Sequence, residues 1–218
     1  MDGLELVIFD CDGVLVDSEA ISNAVLARAL TAEGLPTTLE QSRAAYHGLM
    51  LDDILARTEA ALGRPLPAGW LERFERDRGE AFRRELEPVP GAAEAVERVR
   101  AAGVAACVAS QGKLEKTRLS LELTGLRHLF PEEALFSAYS VPRGKPYPDL
   151  FLHAAATMGA HPSRSVVVED TPSGALAAVA AGMRALGYAA DSDEAALREA
   201  GAEVIWELGE VPGLLGVG

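Results

Sequence analysis

LELVIFDCDGVLVDSE, residues 4–19, is the stretch whose reading decides the fold. Leu6, Val7, Ile8 and Phe9 make a short apolar run of branched and aromatic residues. Such a run suits a strand buried on both faces of a parallel sheet. It stops abruptly in Asp10-Cys11-Asp12-Gly13. Ionised carboxylates at the end of a buried strand are costly unless a metal ion, a lysine or backbone N–H groups compensate them. Gly13 lets the chain turn sharply there. Read alone, the same four residues are also an Asx-type turn with solvated acids.

Working outward, residues 18–33 have helical spacing, with Ile21, Val25 and Ala29 on one face, Ser18 as a candidate N-cap and Gly34 as a stop. Residues 39–47, 52–62 and 67–86 read as three further helices, the last built on Trp70, Phe74 and Phe82. No convincing strand falls between Ser18 and Glu87. Glu87-Pro88-Val89-Pro90-Gly91 punctuates the chain. Beyond it, strands at residues 104–109, 135–139, 165–168, 184–188 and 203–206 alternate with helices at 92–102, 114–123, 149–158, 172–181 and 192–199. Residues 214–218 read as a frayed tail. Alternation of this kind implies a doubly wound parallel sheet with helices on both faces. The opening strand belongs in that sheet, because alone it cannot bury itself. The expected architecture is an α/β, Rossmann-like core of residues 1–17 and 88–218, interrupted by an all-helical insert at 18–87.

Composition narrows the function. The 218 residues are 49% hydrophobic and 24% charged, an ordinary globular balance. The net charge of -13 argues against sequence-independent nucleic-acid binding, which needs a basic footprint. It leaves room for a small anionic substrate held by a local cationic cluster, and the lysines that could form one are Lys113, Lys116 and Lys145. Cys11 and Cys107 read as reduced, buried thiols, which with the absence of a signal-peptide pattern points to the cytoplasm. No apolar run reaches the roughly 18 residues of a membrane span. No obligatory protein partner is evident.

Ligand sites of doubly wound sheets lie beyond the carboxyl ends of the strands. Polar residues collect at three expected strand ends: Asp10 and Asp12, Ser110, and Glu169 with Asp170. Lys145 precedes a helix nearby. Taken singly, Ser110 is a helix cap, Lys145 a solvated loop lysine, and Glu169-Asp170 a cap for the helix at Pro172. Taken together, they form one chemistry. Carboxylates suit Mg²⁺, a hard cation. A hydroxyl and backbone N–H groups at a helix start bind phosphate oxygens. One aspartate can attack phosphorus, and another two residues on can serve as acid and then base.

The sequence resembles the haloacid dehalogenase superfamily, in the branch with a helical cap inserted after the first motif. Four motifs carry the resemblance, in order: residues 9–13 continuing to 17–19 (FDCDG, DSE), 108–112 (VASQG), 144–149 (GKPYPD) and 168–174 (VEDTPSG). The resemblance implies that Asp10 is the nucleophile and Asp12 the acid/base, its carbonyl also ligating Mg²⁺. Ser110 and the Gln111 backbone would hold the phosphoryl group, and Lys145 would pair with Asp10 and the phosphate. Asp170 would bind the metal, with Glu169 assisting.

The acid/base Asp12 separates the chain from the dehalogenases of this fold. Within the β-phosphoglucomutase and 6-phosphogluconate phosphatase-like subgroup, mutases usually carry a cap histidine where Ser22 stands and a cap-loop arginine where Leu51 stands. Both departures favour a phosphatase acting on a small phosphorylated sugar or sugar acid, with a phosphomutase as the alternative. A third reading, a non-enzymatic phosphorylation switch of the receiver kind, conflicts with the helical insert and with the early position of Asp10. In the insert, whose hinges would lie near residues 16–18 and 87–90, His47 is the expected substrate contact and Arg43 a second candidate. Most arginines of this block read as a solvated face.

Overall fold

The computed structural model describes residues 3–217; Met1, Asp2 and Gly218 lie outside the described residues. Strand β1 (Leu6–Phe9) pairs in parallel with β2 (Ala105–Ser110) on one side and β4 (Ser165–Glu169) on the other. With β3 (Leu135–Ser137), β5 (Arg184–Tyr188) and β6 (Glu203–Ile205), the order across the sheet is β3-β2-β1-β4-β5-β6, every pairing parallel. The apolar opening run is thus a central strand. The pleat sends Val7 and Phe9 into one layer and Leu6 and Ile8 into the other, and each layer is a separate hydrophobic cluster. Helices α5 (Ala92–Ala101), α6 (Leu114–Leu123), α7 (Asp149–Thr157) and α8 (Pro172–Ala180) cover the sheet. Shorter helices α9 (Glu194–Glu199) and α10 (Glu210–Leu214) complete the C-terminal part.

Between β1 and α5 the chain forms α1 (Glu19–Ala32), α2 (Leu39–Tyr46), α3 (Leu51–Leu62) and α4 (Trp70–Glu85). These four helices enclose their own apolar cluster, with Val25, Leu30, Tyr46, Ile54, Trp70 and Phe74 among its members. The segments entering and leaving this block pair with each other: Asp17 N donates to Glu87 O at 3.0 Å, and Val89 N to Leu15 O at 3.0 Å.

The expected frayed tail is not what forms. Val211 and Leu215 are 0% and 2% exposed and join the cluster that holds Val7 and Phe9. Spaced four apart, they lie on one face of α10 and its end, and apolar burial outweighs terminal fraying.

Candidate active site

The chain leaves β1 for β2 and β3 on one side of the sheet, then returns to β4 on the other. This reversal opens a crevice beyond the carboxyl ends of β1 and β4, the place where doubly wound sheets bind ligands. Asp10 and Asp12 follow β1 there, Glu169 ends β4 and Asp170 follows it. The loop after β3 brings in Lys145, whose Nζ lies 2.6 Å from Asp10 Oδ1 and 2.5 Å from Glu169 Oε1 and donates to Ala109 O at 3.1 Å. The other Glu169 oxygen accepts from Thr171 N at 2.9 Å and Thr171 Oγ1 at 2.8 Å. Thr171 in turn caps α8, its Oγ1 accepting from Gly174 N at 3.1 Å. Both Glu169 oxygens are therefore engaged by protein groups, and Glu169 fixes Lys145 beside Asp10.

Asp12 sits at the start of the turn that Gly13 makes, at φ +77°. Ser18 occupies the N-cap position of α1, but its hydroxyl does not cap the helix; it donates to Asp12 Oδ1 at 2.5 Å. The Ser18 backbone is helical, at φ -97° and ψ -16°, rather than extended as a capping residue requires, and its hydroxyl is left to donate to the carboxylate. Lys116, on the first turn of α6, pairs with the same oxygen. Ser110 Oγ approaches Asp12 Oδ2 at 3.4 Å and accepts from Gly112 N at 3.0 Å. Sequence reasoning placed Lys116 only among the three lysines that could form a cationic cluster and did not pair it with Asp12.

These contacts separate the two aspartates. Burial pushes the Asp10 carboxyl well above its ordinary range; Lys145 opposes this, while Glu169 and Asp170 add to it. Burial acts the same way on Asp12, but the Lys116 ammonium and the Ser18 hydroxyl outweigh it and hold Asp12 below its ordinary value. Lys145 loses stability as a cation through burial, yet Asp10 and Glu169 keep it above its usual value. The two carboxyls are thus pushed in opposite directions, Asp10 up and Asp12 down.

Asp170 is 4% exposed, its carboxyl pushed up to about 7, first by burial. Its Oδ2 faces His47 Nε2 at 3.6 Å, and His47 also lies 3.3 Å from Glu19 Oε2. The imidazole is raised to about 9, chiefly by Asp170. Asp170 Oδ1 is buried and has no hydrogen-bond partner. A Cβ at Gly13 would fall 2.1 Å from Asp170 Oδ2, so glycine keeps the space beside this carboxylate open. Among the described residues no three His, Cys, Asp or Glu side chains converge as a ready-made cage. Mg²⁺ does not ask for one: it is held by one or two carboxylates, with water and substrate phosphate completing its shell. Asp10, the unsatisfied Asp170 oxygen and the Asp12 backbone carbonyl are hard oxygen donors that fit it.

Above these groups lies a solvent-open cavity of about 830 Å³, roofed by α1–α4. Ser22, His47 and Leu51 line it; Arg43 does not, its Nη2 donating to Asp191 O at 3.3 Å beside a second cleft. The Gln111 side chain joins the two halves: Oε1 accepts from Lys145 N at 2.9 Å and Nε2 approaches Gly48 O at 3.4 Å. Arg78 of α4 also enters the cavity, an exception among arginines that mostly read as a solvated face. Its signal was present in the sequence: it stands four residues after Phe74 and four before Phe82, on the apolar stripe of its helix.

Residues 4–182 match the haloacid dehalogenase-like hydrolases. The chain is 32% identical over 192 residues to the 6-phosphogluconate phosphatase of Escherichia coli (strain K12), covering 88% of this chain and 85% of that protein. Hexitol phosphatase A of the same organism is 31% identical over 193 residues, covering 88% and 86%. A haloacid dehalogenase family hydrolase from Deinococcus radiodurans, solved with bound phosphate and sodium, superposes with a TM-score of 0.79 at 32% identity, over 100% of this chain and 97% of that one. The motifs, the sheet order and these matches agree: the chain belongs to the haloacid dehalogenase-like hydrolases.

Proposed function

We propose that this phosphatase is Mg²⁺-dependent and hydrolyses a small phosphorylated sugar or sugar acid through an aspartyl-phosphate. The observation that carries this reading is the pairing of buried Asp10 with Lys145, two residues from an Asp12 held by Ser18 and Lys116. The names of the relatives, phosphatases of 6-phosphogluconate and of hexitol phosphates, support the substrate class.

In the first half-reaction an Asp10 oxygen attacks phosphorus, the bond from phosphorus to the leaving oxygen breaks, and Asp12 gives its proton to that oxygen. Lys116 favours the ionised form of Asp12, so this contact loosens as Asp12 takes up the proton it delivers. In the second half-reaction water attacks the phosphorus of the aspartyl-phosphate, its proton passes to Asp12, and Asp10 and orthophosphate are released. Ser110 Oγ and the Gln111 backbone hold the transferring group, and Lys145 offsets its charge. Bound at Asp10, Asp170 and the Asp12 carbonyl, Mg²⁺ supplies the positive charge that keeps Asp10 ionised against its burial.

Residues 18–87 act as a cap over a core of 1–17 and 88–218, and the paired segments at Asp17–Glu87 and Leu15–Val89 are the hinge. The separate apolar cluster of α1–α4 supports this division. His47 contacts the substrate from the cap.

Phosphate release from 6-phosphogluconate, hexose and hexitol phosphates, phosphoglycolate and glycerol phosphate, with Mg²⁺ and with EDTA, tests the reading. Metal-dependent release concentrated on sugar or sugar-acid phosphates is expected. Isomerisation of a sugar 1-phosphate without net release would overturn it in favour of a mutase.

A further inference from the structure

The cavity contains five basic side chains, and four of them are matched by acids. Lys145 meets Asp10 and Glu169, and Lys116 meets Asp12. Lys113 meets Glu75 at 2.8 Å, and His47 lies between Glu19 and Asp170. The fifth is Arg78. Among the described residues no carboxylate lies within ion-pair distance of its guanidinium, and no hydrogen-bond acceptor engages it.

Arg78 is nevertheless firmly placed. On α4, Trp70, Phe74 and Arg78 follow one another at four-residue spacing, which puts them on one helix face. Trp70 and Phe74 are buried and stacked, with ring centroids 5.5 Å apart and planes 8° from parallel. The guanidinium carbon of Arg78 lies 5.0 Å from the Phe74 centroid, extending the stack. An aromatic face holds a guanidinium while leaving its N–H fork free. Burial lowers the affinity of Arg78 for its proton, as expected of a cation short of water. Five donors without an acceptor in a half-buried cavity are costly unless a ligand supplies one.

We propose that Arg78 receives a second anionic group of the substrate, a carboxylate, at the α4 end of the cavity. The contacts within reach separate a carboxylate from a second phosphate: among the described residues Arg78 is the one basic side chain of the cavity without an acceptor, since Lys113 and Lys116 are held by Glu75 and Asp12, and a phosphate of nearly two charges calls for more than one such partner. The planar fork also matches a carboxylate in bidentate geometry. This inference rests on the phosphatase reading and narrows it to phosphorylated sugar acids over the corresponding polyols.

The test compares 6-phosphogluconate with sorbitol 6-phosphate, the same open chain with CH₂OH in place of the carboxylate, and with fructose 1,6-bisphosphate. Phosphate release is measured for the wild type, Arg78→Ala and Arg78→Lys, and calorimetric binding on the Asp10→Asn background. The wild type should prefer 6-phosphogluconate over sorbitol 6-phosphate by about 10- to 100-fold, as a charge-assisted bidentate contact predicts. Arg78→Ala should bring that ratio close to one through KM, and Arg78→Lys should restore part of it. No preference in the wild type, equal loss on both substrates in Arg78→Ala, or binding of neither ligand overturns the proposal. An Arg78-dependent preference for the bisphosphate over 6-phosphogluconate overturns the carboxylate. If no phosphate is released while binding still shows the Arg78-dependent preference, the phosphatase reading fails and this one stands.

Discussion

Gly174 shows how tightly the acidic side of the crevice is packed. A Cβ there would lie 1.9 Å from Glu169 Cδ, so the first turn of α8 can pass Glu169 only as glycine. Gly174→Ala should displace Glu169, release Lys145 from its place beside Asp10, and cost about 1–3 kcal/mol of stability through overpacking. Thermal unfolding reads the stability, and kcat the loss of Lys145 alignment; an unchanged kcat would separate Glu169 from the placement of Lys145. Asp10→Asn keeps the shape of the side chain and removes the nucleophile. It should lower phosphate release by at least about 10³-fold with unchanged circular dichroism, and full activity in this variant would falsify the covalent step. The convergence of Asp10, Asp12, Lys145 and Asp170 on one crevice was legible because three motifs fall at strand ends and the fourth lies in the loop after β3. The duties of Ser18 and Lys116 were not. A serine before a helix reads as a cap until the structure shows an aspartate nearer to its hydroxyl, and Lys116 meets Asp12 only because α6 packs where it does.

At the scale of elements, the opening strand and the alternation after Pro90 announced themselves through apolar runs and glycine stops. The two C-terminal turns did not, because Val211 and Leu215 sit in a short stretch whose burial depends on α5 and the sheet. The helices α1–α4 have a cluster of their own, joined to the sheet domain by two paired segments and by contacts such as Gln111 to Gly48 and Arg43 to Asp191. Elements sharing few buried contacts with the sheet should open more readily than its centre. Hydrogen exchange is expected to be slowest in β1, β2 and β4 and faster throughout α2 and α3. Equal protection in both regions would mean that the helical block and the sheet unfold as one unit.

For the whole molecule, the carboxylates gathered at one crevice are held in place by the fold of both halves, and their mutual repulsion is a standing cost. A cation bound there should raise the unfolding temperature. At Mg²⁺ concentrations about 100-fold above its Kd the stabilisation is about 2.7 kcal/mol, or about 5–10 °C for a chain of this size. Asp170→Asn should abolish most of that shift; retention of the full shift would remove Asp170 from the metal site. No helix among the described residues is long and apolar enough to cross a membrane. The sequence by itself determined the parallel α/β architecture, the helical insert and which carboxylates gather at the strand ends, because hydrophobic period, glycine stops and motif spacing are local properties of the chain. Only the tertiary structure decided that Lys116 guards Asp12, that Glu169 spends both oxygens on Lys145 and Thr171, and that Arg78 enters the cavity unmatched. Each of these depends on distances between elements far apart in sequence, which packing sets and local pattern does not encode.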